Sequence, residues 1–346
     1  MSAPLAISDF DFELPAECIA QAPSPERDEA RLMLVDRGTG ATSDGVVRDL
    51  ADQLREGDLL VMNATRVEPA RLRGHKATGG KAEALLLGSG AGPGHFDALV
   101  KMRGRVQVGA KLTFERHETV LEAEIVSHAD DGTVGLAFEP GADPYAIGEM
   151  PLPPYIERLA ADAADQNRYQ TVYAREPGSV AAPTAGLHLT DALLGTLKGR
   201  GVELAEVVLH VGVGTFRPVT EDAIRAGELH PERYELDDTT ADAIERTRAR
   251  GGRVAAVGTT TTRVLEHAST GDGRVRSGRG ETRLFIRPGH RFEVVDALLT
   301  NFHLPRSSLL MLVAAFAGRE RILAAYREAV ARGYRFYSYG DAMWIS

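Results

Sequence analysis

The sequence has a single cysteine, Cys18, among 346 residues. No internal disulfide and no multi-cysteine metal site can be built, which fits a reducing compartment, and the expected localisation is cytoplasmic. No apolar run approaches the roughly 20 residues that span a bilayer. The longest, Leu309 to Ala317, has the length of a core helix. A secretory signal is not expected, because Asp9, Asp11 and Glu13 stand where such a signal carries basic residues. Positive charge is not in excess either: 40 Lys and Arg against 49 Asp and Glu leave a net charge of −9. That balance argues against indiscriminate nucleic-acid binding, which is mostly cationic. Internal repeats are absent.

The total conceals an asymmetry. From Arg66 to Lys111, nine basic residues, including Arg66, Arg71, Arg73, Lys76 and Lys81, meet only Glu68, Glu83 and Asp97. A second basic cluster runs from Arg274 to Arg291, and the segment up to Asp58 is acidic. Such stretches permit local contact with phosphate, although basic clusters are usually solvated faces.

At this length two domains are expected, each large enough to bury a core. The first residues read as α/β, with strands over Arg31 to Asp36 and Asp58 to Met62 and a helix over Val46 to Arg55. From about Arg66 to Phe138 short aliphatic and aromatic runs alternate with Gly, Asp and Pro and show no helical period, so a small all-β barrel or sandwich is predicted. Met150 to Tyr155 carries three prolines and reads as a stiff exit. Strands and helices then alternate again: a helix capped by Thr190, a buried strand over Val202 to Val211, a helix over Asp238 to Arg250 and a strand over Arg253 to Val257. Helices follow over Ser307 to Phe316 and Arg319 to Ala331, with a closing strand over Tyr334 to Tyr339. Ala268 to Gly280 reads as a mobile loop. The expected fold class is α/β, a discontinuous α/β main domain (1–64 and 149–346) with an inserted all-β barrel domain (65–148).

Two histidines stand among small residues, in Pro183-Thr184-Ala185-Gly186-Leu187-His188 and His210-Val211-Gly212-Val213-Gly214-Thr215-Phe216. Gly and Ala let backbone approach a ligand, and an imidazole titrates near neutrality, so the combination suits a reactive pocket. The second segment mimics a nucleotide-binding glycine loop but has Phe216 in place of the third glycine. In Val257-Gly258-Thr259-Thr260-Thr261-Thr262-Arg263 a strand runs through a glycine and hydroxyls into a helix, which either receives an anion or is merely capped by its threonines. His230 with Glu232, His303 after Asn301, Asp341 after Tyr339, and Asn63-Ala64-Thr65-Arg66 at a strand exit are further polar settings. Singly, each such histidine is more often structural, and Asp341 reads equally as a solvated turn residue. No spacing matches a zinc helix pattern, so no metal is expected.

These blocks, together with Phe12-Glu13-Leu14-Pro15, Thr65-Arg66-Val67, Gly79-Gly80-Lys81, Met150 to Tyr155, Tyr169 to Tyr173, Gly178 to His188 and Asp296 to Pro305, resemble the S-adenosylmethionine:tRNA ribosyltransferase-isomerase family of queuosine biosynthesis. The resemblance implies an α/β fold with an inserted barrel. It also implies transfer and isomerisation of the ribosyl group of S-adenosylmethionine onto 7-aminomethyl-7-deazaguanine at the tRNA wobble position, giving epoxyqueuosine with release of adenine and methionine. S-adenosylmethionine would be a consumed substrate, with no cofactor, no membrane and a monomeric enzyme.

That chemistry asks for a base at the acidified 5′ carbon and a proton donor for adenine, for which His188, His210, His230 and Glu232 are candidates. Asp341, Phe216 or Tyr339 would face the sulfonium. The methionine carboxylate would meet Gly258, Thr259, Thr260 and Arg263, and Asn63, Arg66, Thr184, Gly186, Gly212, Gly214, Thr215, Asn301 and His303 would complete the substrate pocket. Arg66, Arg71, Arg73, Lys76 and Lys81 would present RNA on the barrel. The chain departs from the family at Ala64, Leu189, Thr261 and Gly227, the last where many members carry a histidine. Alternatives are action on a free base or other nucleoside, an RNA-binding homologue without catalysis, and methyl transfer, which the incomplete glycine loop opposes.

Overall fold

The computed structural model describes residues 5–153, 155–156, 163–212 and 220–346, with backbone alone for 163–164. In chain order the strands and helices are β1 (Arg31–Val35), β2 (Thr42–Val46), α1 (Leu50–Gln53), β3 (Leu59–Asn63), β4 (Thr65–Val67), β5 (Arg71–Lys76), β6 (Lys81–Ser89), β7 (His95–Met102), β8 (Lys111–Arg116), β9 (Thr119–His128) and β10 (Val134–Phe138). There follow α2 (Ala163–Arg168), β11 (Glu176–Ser179), α3 (Asp191–Gly199), β12 (Glu203–Leu209), α4 (Glu221–Ala226), β13 (Glu228–Leu236), α5 (Asp238–Ala249), β14 (Val254–Val257), α6 (Gly258–Ala268), β15 (Gly278–Leu284), β16 (Ala297–Asn301), α7 (Ser308–Ala317), α8 (Arg319–Ala331) and β17 (Ala342–Ile345). The chain forms two compact units.

The first unit comprises 1–65, 171–176 and 183–346. Its described residues build a nine-stranded mixed sheet in the order β15-β13-β12-β3-β14-β16-β17-β1-β2. The four central strands, β12, β3, β14 and β16, run parallel. Their sequences are near-continuous apolar runs because both faces are covered. Leu60, Met62, Ala255, Val257 and Leu299 join one core cluster with Leu50, Leu193 and Leu197 from α1 and α3. Leu59, Val61, Ala256 and Leu298, of opposite parity, are equally buried, and α5 and α6 pack on the same strands. Asp58, with no exposed surface, starts β3 and binds both the Arg253 N–H and its guanidinium, at 2.9 and 2.6 Å, which ties the starts of β3 and β14 together. Thr190 caps α3 through the Leu193 N–H, as its position in sequence suggests.

The second unit comprises 66–170 and 177–182. Its six antiparallel strands close into a barrel in the order β10-β7-β6-β5-β8-β9. Alternation carries it: in β6 Ala82, Ala84 and Leu86 point inward while Lys81, Glu83 and Leu85 lie on the outer face. Phe114 and Phe138 fill the interior with ring centroids 6.1 Å apart. The sequence does not announce β5, where Leu72 alone is buried among Arg, Gly, His and Lys.

Three local expectations change. Tyr334 to Tyr339 is not a strand; the chain closes with β17 instead. Tyr337 has φ +77° and its carbonyl accepts from the Gly340 N–H at 3.1 Å, so the backbone folds back, and the aromatic side chains of Tyr334 and Phe336 go into a core cluster around Phe302. Val46 to Arg55 is only a tight turn at Val47–Asp49 followed by the four-residue α1. Ala268 to Gly280 is pinned by a bridge between Ser269 and Val275 and runs into β15. Among the described residues no helix is long and apolar enough to cross a membrane.

Candidate active site

The order of the parallel strands reverses around β3, which has β12 on one side and β14 on the other. In open α/β sheets ligands bind beyond the carboxyl ends of strands at such a point. Asn63 ends β3 there with no exposed surface. Its Nδ2 donates to Leu209 O at 3.0 Å and to Thr260 Oγ1 at 3.2 Å, while its Oδ1 accepts from the N–H groups of Leu209 and Thr65 at 3.0 and 3.2 Å. One amide thus ties the ends of β12 and β3 to the first turn of α6. With all four bonds made within the protein, Asn63 acts as a brace for the site.

His210 follows β12. Its backbone N–H donates to Arg233 O at 3.0 Å and its Nδ1 lies 2.9 Å from Thr65 Oγ1. Nε2 has no hydrogen-bond partner among the described residues. Burial, then the nearby Arg233 charge, push its pKa below the usual histidine value, against Glu176 and Glu235, so the ring is neutral at pH 7. A neutral imidazole with an uncommitted nitrogen at a strand end is equipped to take a proton.

His188 is placed differently. It ends the turn Thr184–His188 and is 5% exposed. Asn301 Nδ2, from the end of β16, donates to its Nε2 at 3.0 Å and also to Tyr337 O at 3.0 Å. A further hydrogen bond joins His188 to the Arg27 backbone, and burial pushes its pKa down to about 4 in spite of Asp341. His188 is a neutral ring with its polar edge engaged. Asp341, 1% exposed, accepts from the N–H groups of Arg31 and Arg335 at 3.2 and 2.8 Å and from the Arg335 guanidinium at 2.9 Å. It is no solvated turn residue; it anchors the turn that carries the positive φ of Tyr337. Gly186, two residues before His188, is required by space: a Cβ there would lie 2.0 Å from the Tyr173 hydroxyl.

At the start of α6 the threonines do not cap the helix. Thr261 and Thr262 hydroxyls bond back to the carbonyls of Val257 and Gly258, at 2.7 and 3.1 Å. Thr260 is held by Asn63, and Thr259 is buried. Arg263 is committed to Glu232 in a buried ion pair and to Leu284 O at 3.0 Å. Glu232 in turn accepts from the Gly212 N–H at 3.1 Å, so this pair holds the start of the glycine segment after β12. His230 is exposed beside the register shift of β13, two residues from Glu232. His303 is a core residue: its Nε2 meets Thr300 Oγ1 at 2.8 Å and burial drops its pKa to about 3. Tyr339 is 2% exposed. Gly214, Thr215 and Phe216 lie outside the described residues. Among those residues no group of three or more His, Cys, Asp or Glu side chains is placed to hold a metal ion.

Comparison with known proteins decides the kinship. Residues 7–345 match the model of a family described as queuosine biosynthesis protein. The chain belongs to this family. It is 51% identical over 98% of its length, and 99% of the relative, to the S-adenosylmethionine:tRNA ribosyltransferase-isomerase of Citrifermentans bemidjiense. With the enzyme of the same name from Anaeromyxobacter sp. (strain K) it shares 52% identity over 99% of each chain. The crystal structure of S-adenosylmethionine tRNA ribosyltransferase from Thermotoga maritima superposes with a TM-score of 0.57, at 39% identity over 98% of this chain and 100% of that one.

In this family member the basic residues of the barrel unit divide into two groups. Arg71 donates to Leu152 O at 2.9 Å and lies 3.6 Å from Glu83; Arg73 pairs with Glu149 at 3.0 Å. Lys76 donates to Arg103 O at 2.8 Å, whereas Lys81 and Arg66 are exposed. A groove of about 1010 Å³ on this unit is lined by Arg73, His75, Lys81, Lys101 and Arg103, with Glu83 and Glu115 also present. Gly227 terminates α4 with φ +72° in the left-handed region, a position that glycine fills without strain. Thr65, Tyr173 and Tyr337 are site residues that motif reading passes over. The polar exit Asn63-Ala64-Thr65-Arg66 signals ligand chemistry in general, but its contact with His210 joins residues 145 positions apart.

Proposed function

We propose that this enzyme transfers and isomerises the ribosyl moiety of S-adenosylmethionine onto 7-aminomethyl-7-deazaguanine at the wobble position of tRNA, giving epoxyqueuosine-tRNA and releasing adenine and methionine. The observation that carries the reading is the end-to-end match, at about half identity, to relatives that share one name. The strand ends around Asn63 support it chemically. His210 Nε2 takes the proton from the 5′ carbon that the sulfonium acidifies, and the imidazolium so formed can pass a proton to the departing adenine. Asn63, Thr260 and the Glu232–Arg263 pair keep the surrounding backbone in place, and His188 and Asn301 form a neutral polar wall. S-adenosylmethionine is consumed as a substrate, with no further cofactor and no metal. The enzyme works as a cytoplasmic monomer, and the barrel groove with Lys81 receives the RNA.

The test is incubation with S-adenosylmethionine and tRNA bearing the aminomethyl base, followed by nucleoside mass analysis. Adenine, methionine and a ribosyl-derived mass gain on the tRNA are expected. S-adenosylhomocysteine in their place, or turnover with the free base alone, would overturn the proposal.

A further inference from the structure

Thr65 has no exposed surface, and its hydroxyl meets two groups: His210 Nδ1 at 2.9 Å and the Glu176 carbonyl at 3.5 Å. The carbonyl can only accept, and the hydroxyl has one proton to give. If that proton goes to Glu176 O, the hydroxyl oxygen is left to accept Nδ1–H, and all three polar atoms are used. The reverse arrangement, with the hydroxyl donating to Nδ1, leaves the carbonyl without this donor and puts the ring proton on Nε2. The first arrangement uses both the proton and a lone pair of a hydroxyl on a residue with no exposed surface, where an unused polar group is costly, whereas the second leaves that hydroxyl oxygen accepting from neither group.

We infer that Thr65 is a positioning residue that holds His210 as the Nδ1–H tautomer, with the Nε2 lone pair free to act as base in the proposed ribosyl transfer. The inference rests on that reaction for its role and on hydrogen-bond geometry for the tautomer. In sequence Thr65 belongs to the polar strand exit Asn63-Ala64-Thr65-Arg66, but nothing there links it to His210. Its place is fixed from the other side as well, because its N–H donates to Asn63 Oδ1, so the brace at the strand ends also aims the threonine. The charged groups that face His210 are Arg233 and Glu235 from β13 and Glu176 from β11. None of the three bonds either ring nitrogen through its side chain, which leaves the tautomer to Thr65.

The experiment compares wild type, Thr65→Val, Thr65→Ser and His210→Ala by two readouts. In single-turnover adenine release, Thr65→Val should be slower by roughly tenfold to hundredfold, a share of what a positioned base contributes, with KM for S-adenosylmethionine unchanged. Its acid limb should move to lower pH, because the hydroxyl that favours the imidazolium is gone. Thr65→Ser should restore rate and profile. In histidine ¹⁵N spectra, with the His210 signals assigned by their loss in His210→Ala, wild type should show a protonated Nδ1 and a bare Nε2. A wild-type spectrum with the proton on Nε2, or a folded Thr65→Val enzyme with wild-type rate and pH profile, overturns the inference. Should wild type release no adenine at all, the ribosyl-transfer reading fails, and the spectrum decides the tautomer by itself.

Discussion

The side chain of Asn63 closes a two-bond ring with the backbone of Leu209, giving Nδ2–H to its carbonyl and taking its N–H on Oδ1, each at 3.0 Å. The amide behaves as one more residue of strand pairing, extending the β3–β12 ladder to the point where His210 begins. A loss here therefore acts on fold and site together.

Asn63→Leu should cost upward of about 3 kcal/mol, since it keeps the volume but leaves three backbone groups, the Leu209 carbonyl and the N–H groups of Leu209 and Thr65, without this partner, each worth about 1–3 kcal/mol. Urea denaturation measures it. Asn63→Asp should be at least as damaging, because a carboxylate cannot donate to Leu209 O. Wild-type midpoints for both variants would show that the ring carries no stability.

His188 gives stability a pH dependence. Burial depresses its folded pKa to about 4, below the unfolded value near 6.5, so its contribution is complete above about pH 6.5 and is lost as pH falls toward 4. Between pH 7 and 5 the loss should be about 2 kcal/mol. His303 acts in the same direction, so the measurement is a difference: denaturation of wild type and His188→Gln at both pH values. The variant should lose less than wild type over this range; equal losses would mean that His188 is not held neutral.

The buried pair of Arg263 and Glu232 should tolerate a double substitution better than a single one. Removing Glu232 alone leaves a guanidinium in a dry site and should cost about 3–5 kcal/mol. Replacing both, as Glu232→Leu with Arg263→Met, should recover much of that loss in a double-mutant cycle. The double variant should still lose activity, because the Gly212 N–H has then lost its acceptor and the segment after His210 is no longer fixed. Additive stability losses, or full activity in the folded double variant, would contradict this.

Gly186→Ala should fold poorly because the new methyl meets the Tyr173 hydroxyl at 2.0 Å. Adding Tyr173→Phe removes that oxygen and leaves Thr171 Cγ2 at 2.9 Å and the ring carbon at 3.0 Å as the nearest atoms, so thermal stability should return only in part. No recovery in the double variant would place the strain elsewhere in the Thr184–His188 turn.

On the barrel, Lys81→Glu with Lys101→Glu should weaken tRNA binding and lower its salt dependence by roughly one unit of slope for each phosphate no longer neutralised. S-adenosylmethionine binding should be unchanged. Arg71→Glu, by contrast, should first damage the unit itself, since Arg71 spans Glu83 and the Leu152 carbonyl. Filter binding at two salt concentrations and a thermal melt separate these outcomes.

Much of the fold is written locally. Apolar runs such as Leu59-Leu60-Val61-Met62 and Val254-Ala255-Ala256-Val257 read as strands buried on both faces, and the period-two pattern of β6 reads as barrel wall. Thr190 reads as a cap because its partner lies three residues away. Tyr334 to Tyr339 has the composition of a strand, yet its aromatics serve a cluster with Phe302 and Tyr326, and a positive φ at Tyr337 turns the chain.

The site divides along the same line. From sequence alone come the residue types: histidines among glycines, a threonine run before Arg263, a polar strand exit, and a family resemblance spread over the whole length. Which histidine is free to react is decided only in three dimensions. His188 and His210 look alike in sequence, but the first is closed in by Asn301 and the Arg27 backbone, while the second keeps one nitrogen uncommitted. Likewise Arg263, in sequence a ready anion donor, gives Nη1 to Glu232 and Nε to Leu284 O, and among the described residues only its Nη2 stays uncommitted. Protonation state and availability depend on burial and on partners distant along the chain, and no local pattern encodes which residues the fold will bring together.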